Sequence, residues 1–313
     1  MAEILLLGST DVTLAVGEAV LATGVKLTAV VSVGDSFSIS YSNIPVTNSR
    51  FADVAGWCSA RGVQFIPFQS YEKMLEEMKG APASLCLVAG WYHMVPRAVR
   101  DCFPLGAIGF HASLLPLLRG GAPLNWAILT RLRETGITMF QLTDGMDDGP
   151  IFGQRRFPVT EYATIGELVS DSVSASEDLV RELLPGILNG HVRPMPQVGT
   201  ASYALQRRPE DGRIDWKHPA TEIDRLVRAT GKPYPGAFTY FEGRKVIIWK
   251  TGLPSERILV AGSAGQLCRL PEVEGLLVVT GSGVLEIKDA ANESGESIIG
   301  HLKKNTQRRF DNS

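Results

Sequence analysis

The chain has 313 residues, of which 44% are hydrophobic and 20% are charged. This length favours two domains, and this composition is far from the low hydropathy and high charge of disordered chains. Because 31 Lys and Arg stand against 33 Asp and Glu, a protein that coats nucleic acid through general charge attraction is excluded.

The cysteines and the apolar segments predict the location of the protein. Four cysteines occur singly, without a CxxC pair or a histidine at ligand spacing: Cys58, Cys86, Cys102 and Cys268. A zinc site and a disulfide framework are therefore not expected. The chain starts with only four aliphatic residues, 4–7, before Gly8, which is too few for a signal peptide. No segment reaches the about 18 apolar residues of a membrane span, so we expect a cytoplasmic protein without a membrane partner.

The first half of the chain has the pattern of an α/β fold. Residues 4–7, 12–22 and 27–33 have the spacing of a strand, a helix and a strand that open a parallel sheet. An almost uncharged stretch at 32–49 is predicted to be a loop. A capping box at Thr164 and Glu167 predicts a long helix that continues to residue 187. Further buried strands are predicted at 85–89, 107–110 and 136–142.

The second half has a different texture. Residues 191–203 contain Pro194 and Pro196 and follow neither a helical nor a strand period, so this stretch is the best linker candidate. Short β-rich runs separated by glycine-containing turns then predict a small β-barrel: residues 238–241, 245–251, 275–279 and 284–287.

Two residues with chemical potential each follow a predicted strand. His111 and Asp147 are 36 positions apart, and the carboxyl ends of parallel strands meet at one edge of a sheet. We therefore expect the imidazole and the carboxylate to converge. A carboxylate beside a histidine fixes the histidine tautomer and raises its basicity, which suits acid–base chemistry near neutral pH.

The residues around this pair form an ordered series of motifs. They are His111, 113–116 (Ser-Leu-Leu-Pro), 119–120 (Arg-Gly), 122–123 (Ala-Pro), Trp126, 135–136 (Thr-Gly), and Asp147 with Gly149. A second series lies at 212–216 (Gly-Arg-Ile-Asp-Trp) and 233–240 (Pro-Tyr-Pro-Gly-Ala-Phe-Thr-Tyr). In both series the chain resembles the enzymes that transfer a formyl group from 10-formyltetrahydrofolate. The resemblance implies a Rossmann-like α/β formyltransferase domain with a parallel-dominated sheet over 1–195, a linker at 196–204, and a small OB-like β-barrel domain over 205–313.

The resemblance also implies roles for individual residues. His111 would give a hydrogen bond or proton to the oxyanion of the tetrahedral intermediate, while Asp147 would orient His111 and assist proton removal. The folate would lie along His93, Met94 and Val95 and along Thr143, Asp144, Gly145, Met146 and Asp147. Candidate contacts of the formyl acceptor are Trp91, Tyr92, Ser113, Arg119 and Asn125, and Trp91 or Tyr92 would wall the folate slot.

One position departs from the family pattern. The family has a catalytic Asn two residues before the histidine, and this chain has Gly109 there. Loss of one oxyanion donor typically costs about 2.7–4 kcal/mol. Three explanations are compatible with the sequence: Asn125 or a water replaces the donor, the substrate supplies it, or the chemistry has changed. Gly109→Asn is expected to raise transfer if this residue limits it. Hydrolysis of 10-formyltetrahydrofolate is an alternative function, because the related hydrolase domains also lack this Asn.

The acceptor is predicted to be an amine on a small molecule. Relatives that formylate initiator methionyl-tRNA carry a basic insertion after the second strand, whereas residues 32–49 contain no Lys or Arg, which argues against tRNA. Residues 200–313 have 17 Lys and Arg against 14 Asp and Glu, a mild excess that favours RNA only weakly. A nucleotide-linked amino sugar and a hydroxyornithine-type amino acid both fit; a methionyl-tRNA formyltransferase and a folate-binding module remain alternatives.

Other cofactors are not predicted. Gly8-Ser9-Thr10 lacks the GxGxxG spacing of a nicotinamide site, and no metal is expected. Some sugar-modifying relatives pair through the C-terminal domain, so the resemblance is compatible with a homodimer.

Overall fold

The computed structural model describes residues 3–38, 45–79, 83–254, 258–271 and 273–311. The chain forms two compact units. The first contains the residues up to Pro123 together with Glu134–Pro158 and Val169–Leu205, and the second contains Leu124–Arg133, Val159–Leu168 and the residues from Gln206 onward. Two short segments from the first half of the sequence thus group with the second unit.

The described residues between 3 and 205 form eleven strands and six helices. Of these, the helix at 123–129, apart from Pro123, and the first turn of the helix at 165–188 group with the second unit. The strands are β1 Glu3–Leu7, β2 Lys26–Ser32, β3 Ser36–Phe37, β4 Val46–Thr47, β5 Gln64–Pro67, β6 Leu85–Val88, β7 Ala107–His111, β8 Arg119–Gly120, β9 Glu134–Gln141, β10 Ile151–Pro158 and β11 Tyr203–Ala204. The helices are α1 Asp11–Ala22, α2 Val54–Arg61, α3 Tyr71–Glu77, α4 Arg97–Arg100, α5 Pro123–Leu129 and α6 Ile165–Leu188.

Seven of these strands form the central sheet, in the order β10-β9-β7-β6-β1-β2-β5. The five strands from β7 to β5 are parallel. Side chains of β1 alternate between two separate cores, with Ile4 and Leu6 in one and Leu5 and Leu7 in the other. This burial on both faces explains the continuous aliphatic run, which is typical of a parallel strand. The predicted parallel-dominated α/β fold is confirmed.

The last two strands of the sheet differ from the expectation. Strand β9 pairs with β7 in the antiparallel direction, and β10 pairs with β9 in the same way. The expectation that His111 and Asp147 meet because their strands run in parallel was therefore wrong. The carboxyl end of β9 lies beside the start of β7, since Gln141 is opposite Ile108.

Two local predictions have different outcomes. The capping box is confirmed, because the Thr164 backbone N–H donates to the Glu167 carboxylate (2.7 Å) and the Glu167 N–H donates to the Thr164 hydroxyl (3.3 Å). The stretch 32–49 is not wholly a loop, because it contains the antiparallel pair β3 and β4. Residues 39–44 of that stretch lie outside the described residues.

The second unit is an antiparallel β structure with its own core. Its strands are β12 Ala237–Phe241, β13 Arg244–Gly252, β14 Leu267–Leu270, β15 Val273–Val279 and β16 Val284–Ala291, and its further helices are α7 Ala220–Thr230 and α8 Ile299–Lys304. The strand order is β12-β13-β16-β15-β14. Trp216 and Phe310, both fully buried, stack with their ring centres 5.0 Å apart. The predicted separate β-rich domain is confirmed, although β14 was not predicted.

Candidate active site

His111 is the last residue of β7, and hydrogen bonding restricts the roles of its two ring nitrogens. The side chain is buried, and Nε2 lies 2.8 Å from the carbonyl oxygen of Leu118. Because a carbonyl oxygen can only accept, Nε2 carries a hydrogen. The other nitrogen, Nδ1, lies 3.5 Å from Oδ2 of Asp147. Proton exchange by this imidazole therefore falls to Nδ1, beside a carboxylate.

Asp147 is held in an unusual backbone conformation. Its φ is 48°, a left-handed value that costs a non-glycine residue on the order of 1–3 kcal/mol. Its Oδ2 accepts a 2.8 Å hydrogen bond from the backbone N–H of Gly120, and its carbonyl oxygen accepts one of 2.8 Å from Nε2 of Gln197. A Cβ at position 120 would lie 2.6 Å from the carbonyl oxygen of Ala204. Glycine at position 120 therefore allows the backbone to pass close to Ala204 while its N–H points at Asp147.

The turn between β9 and β10 brings the two side chains together. The turn leaves β9 beside Ile108 and closes with a hydrogen bond of 2.9 Å from the Gln141 N–H to the Pro150 carbonyl. Within it, the chain folds back far enough for Asp147 to reach His111 at the opposite end of β7. The predicted pair is therefore present, for a different reason from the one the sequence suggested.

Gly109 is surrounded by apolar side chains. A Cβ at this position would lie 2.7 Å from Cδ2 of Leu142 and 3.1 Å from Cε1 of Phe140. The space that the family's Asn side chain would need is thus partly filled by Leu142. An amide cannot occupy it unless this leucine moves.

The residues after β6 form an aromatic cluster. The His93 ring packs 5.0 Å from Phe68 and 5.4 Å from Trp91, measured between ring centres. Its Nε2 is buried and has no hydrogen-bond partner within the described parts of the chain. Burial in this apolar cluster lowers the pKa of His93, so its ring is neutral near pH 7.

The backbone predicted to contact the folate is tied to the same cluster. The Trp91 indole N–H donates to the Tyr71 hydroxyl (3.0 Å), and this hydroxyl donates to the Met94 carbonyl (2.9 Å). Burial raises the pKa of Tyr71 to about 12, which keeps the hydroxyl protonated. Met94 is 74% exposed and Val95 is buried, so the Met94 side chain is open to solvent.

The second predicted folate segment, 143–147, is anchored by a buried cation. Arg100 donates to the Leu142 carbonyl (2.8 Å) and to the Asp144 carboxylate. The Thr143 hydroxyl donates to Asp148, and a Cβ at Gly145 would overlap the Asp148 carboxylate. Met146 is exposed. This anchoring fixes the loop that carries Asp147.

The candidate acceptor contacts have different environments. The Tyr92 hydroxyl donates to Asn48 Oδ1 (2.8 Å). Ser113 is 1% exposed, and its hydroxyl donates to the Leu117 carbonyl. The Arg119 guanidinium donates to Gln197. Asn125 lies in the second unit, where its buried amide donates to the Ala229 carbonyl (2.7 Å), so one of its two N–H donors is already engaged.

Sequence reasoning missed Gln197, which belongs to the segment predicted to be a linker. The two prolines at 194 and 196 gave that segment the appearance of a linker. In the structure it contributes β11, which pairs in parallel with β8. Only the tertiary contacts of Gln197 reveal its connection to Asp147, since no local pattern encodes them.

Two further observations bear on ligands. Among the described residues, no group of three or more His, Cys, Asp or Glu could hold a metal ion, and no helix combines the length and apolarity needed to cross a bilayer. A cavity of about 430 Å³ lies in the second unit, and its lining includes neither His111 nor Asp147.

Two domain models of one family match the chain. They are "Formyl transferase" over residues 47–183 and "Formyl transferase, C-terminal domain" over residues 207–302, together about three quarters of the sequence. The chain therefore belongs to the formyl transferase family.

Solved structures with a similar fold include enzymes that were crystallised with folates. HypX from Aquifex aeolicus in complex with tetrahydrofolic acid has a TM-score of 0.68 and 17% identity, covering 96% of this chain and 47% of HypX. WlaRD, a sugar 3N-formyl transferase studied with dTDP and 5-N-formyl-THF, has a TM-score of 0.65 and 16% identity. The match covers 91% of this chain and 97% of WlaRD. The N-formyltransferase from Helicobacter canadensis with folinic acid and dTDP-3-aminofucose has a TM-score of 0.65 and 20% identity. The match covers 92% of this chain and 99% of the Helicobacter canadensis enzyme. The chain spans about half the length of the HypX structures it matches, and similarity at these identities shows the fold.

The apolar surroundings of Gly109 generate a first prediction. Gly109→Asn should destabilise the protein by about 1–3 kcal/mol through overpacking, and Leu142→Ala in the same chain should recover much of this loss by opening the space. Urea unfolding of the two single variants and the double variant measures the coupling. Strictly additive free energies would contradict the steric account of position 109.

The buried ring of His93 generates a prediction about pH. Since its folded-state pKa is lowered, the unfolded chain binds a proton first as the pH falls below about 6.5. The stability contributed by the neutral ring is therefore fully present above that pH and is lost as the pH falls through the folded-state pKa. His93→Phe should keep the packing and reduce the loss of thermal stability between about pH 7.5 and pH 5. The exposed His191→Phe is the control, and an unchanged pH dependence in His93→Phe would refute the assignment.

Proposed function

We propose that the protein is an N-formyltransferase that moves a formyl group from 10-formyltetrahydrofolate to an amine of a small metabolite. The observation that carries this proposal is the buried His111 in contact with Asp147 at the loop anchored by Arg100. Family membership and folate-bound structural neighbours support it. The same proposal assigns catalysis to residues up to about 195 and a C-terminal domain to residues from 205, in line with matches at 47–183 and 207–302.

His111 and Asp147 would manage the protons of the reaction. The acceptor amine attacks the formyl carbon, a C–N bond forms, and the bond from that carbon to N10 of the folate breaks. The amine loses one proton, which Nδ1 of His111 can take, and N10 gains one. The Asp147 carboxylate, 3.5 Å from Nδ1, stabilises the positive charge on the imidazole between these two transfers. Before it takes up the proton, the ring cannot donate from Nδ1.

The folate would occupy the space bordered by the two anchored loops. Backbone groups of His93, Met94 and Val95 would contact the pterin, with the 143–147 loop on the other side. The Tyr71–Met94 hydrogen bond (2.9 Å) and the Arg100–Leu142 hydrogen bond (2.8 Å) hold these two backbone segments. Preorganised backbone donors and acceptors suit recognition of a planar, polar ring.

Hydrolysis of 10-formyltetrahydrofolate is the second candidate, and Gly109 supports it because the related hydrolase domains also lack the Asn at this position. With Leu142 against this position, no side-chain amide from residue 109 stabilises the oxyanion. Water could then replace the amine as nucleophile and release formate. The pair of His111 and Asp147 would serve either nucleophile, because both must lose a proton.

A small amine is the proposed acceptor class. Residues 32–49 contain no cationic side chain, and the Helicobacter canadensis enzyme was solved with dTDP-3-aminofucose. A nucleotide-linked amino sugar and a hydroxyornithine-type amino acid are the two proposed acceptors, with initiator methionyl-tRNA as the alternative. A reducing, cytoplasmic location is part of the proposal and is supported by four unpaired cysteines.

The test combines donor, acceptors and site variants. Purified protein is incubated with 10-formyltetrahydrofolate and, in separate reactions, with dTDP-linked amino sugars, hydroxyornithine, charged initiator tRNA, or no amine. We expect the formyl mass increment on a small amine. Formate release that no amine alters would support the hydrolase, and formylation of tRNA alone would overturn the small-amine proposal.

His111→Ala and Asp147→Asn should each lower turnover about 10²–10⁴-fold, because general acid–base groups contribute about this much. Asp171→Asn is the matched control: its carboxylate is exposed on α6, outside the site. Circular dichroism should show that all three variants are folded. Turnover in either site variant equal to that of Asp171→Asn would refute the proposed roles.

A further inference from the structure

Gln197 joins two parts of the candidate site that are far apart in sequence. Its Nε2 donates to the carbonyl oxygens of Asp147 and Gly149, at 2.8 Å each. Its Oε1 accepts from Nε (3.2 Å) and Nη2 (2.7 Å) of Arg119. Because a guanidinium can only donate and a carbonyl can only accept, the orientation of this amide is unambiguous. Both ends of the Gln197 side-chain amide are therefore hydrogen bonded.

Ser202, which follows Gln197 in the same segment, contacts the backbone that is hydrogen bonded to His111. The Ser202 hydroxyl accepts from the N–H of Leu118 (2.9 Å), and the Ser202 carbonyl accepts from the N–H of Arg119 (2.9 Å). The carbonyl of Leu118 is the group that receives Nε2 of His111. Residues 197–204 therefore contact the backbone next to both His111 and Asp147.

We propose that Gln197 is a positioning residue for the His111–Asp147 pair, with Arg119 acting through it. The left-handed backbone of Asp147 is costly, and the two hydrogen bonds from Gln197 compensate for it by fixing both carbonyls of the turn. Arg119 orients the amide rather than contacting the acceptor. As far as it concerns catalysis, this inference rests on the proposed function.

The test compares Gln197→Met with Gln266→Met. Methionine keeps the length and removes the hydrogen bonds, and Gln266 is a similarly half-buried glutamine in the second unit whose side chain accepts from the Ser263 N–H. In Gln197→Met, kcat should fall about 10- to 100-fold, as expected for a small displacement of catalytic groups, with KM for the folate nearly unchanged. The pH profile of kcat should also move, and Gln266→Met should change neither quantity.

A second readout does not need activity. At one fixed pH, the ring resonances of His111 in NMR spectra should be displaced in Gln197→Met relative to wild type and Gln266→Met, because the position of the Asp147 carboxylate beside the ring changes. If wild type neither transfers nor hydrolyses the formyl group, the proposed function fails while this readout still tests the positioning role. Wild-type ring resonances of His111 in Gln197→Met would overturn the inference. If Gln197→Met does not fold, Gln197→Glu replaces it. Glutamate keeps the contact with Arg119 and loses the hydrogen bonds to the carbonyls of Asp147 and Gly149. The expected and the contradicting results are the same as for Gln197→Met.

Discussion

The left-handed turn at Asp147 is the constraint on which the candidate site depends. Strand β9 runs antiparallel to β7, so its end lies beside Ile108 and away from His111. The carboxylate reaches the imidazole only because the following turn folds back, with φ of 48° at Asp147. Hydrogen bonds from Gly120 and Gln197 hold that conformation. The contact between the imidazole and the carboxylate therefore depends on backbone geometry that a distant segment maintains.

This arrangement separates proton transfer from oxyanion stabilisation. Nε2 of His111 is hydrogen bonded to the Leu118 carbonyl, so Nδ1 is the ring nitrogen left for the proposed proton transfer. Position 109 offers no polar side chain, and Leu142 lies where a Cβ at this position would stand. A site that keeps its acid–base pair and lacks this donor needs another source of oxyanion stabilisation, since such donors typically contribute several kcal/mol. A hydrogen-bond donor on the acceptor molecule is one such source. In that case the rate of formyl transfer would depend on which acceptor is bound.

The sequence predicted the parts of this protein that local patterns encode. The aliphatic runs of β1 and β2 and the capping box at Thr164 identified the fold class, and the motifs around His111 identified the candidate pair of His111 and Asp147. The direction of β9 was not predictable, because an apolar strand buried in a sheet has the same pattern in either direction. Gln197 was missed because its role lies in contacts made 48 to 50 residues away along the chain, within a proline-containing stretch that has no period of its own.

A crystal structure of the protein with 5-formyltetrahydrofolate tests the central claim most directly. The account predicts that the formyl-bearing edge of the folate lies within hydrogen-bonding reach of His111 and Asp147, and that the pterin contacts the backbone at 93–95. The claim would be contradicted if the folate occupied another part of the chain, or if the imidazole and the carboxylate stood apart in the complex.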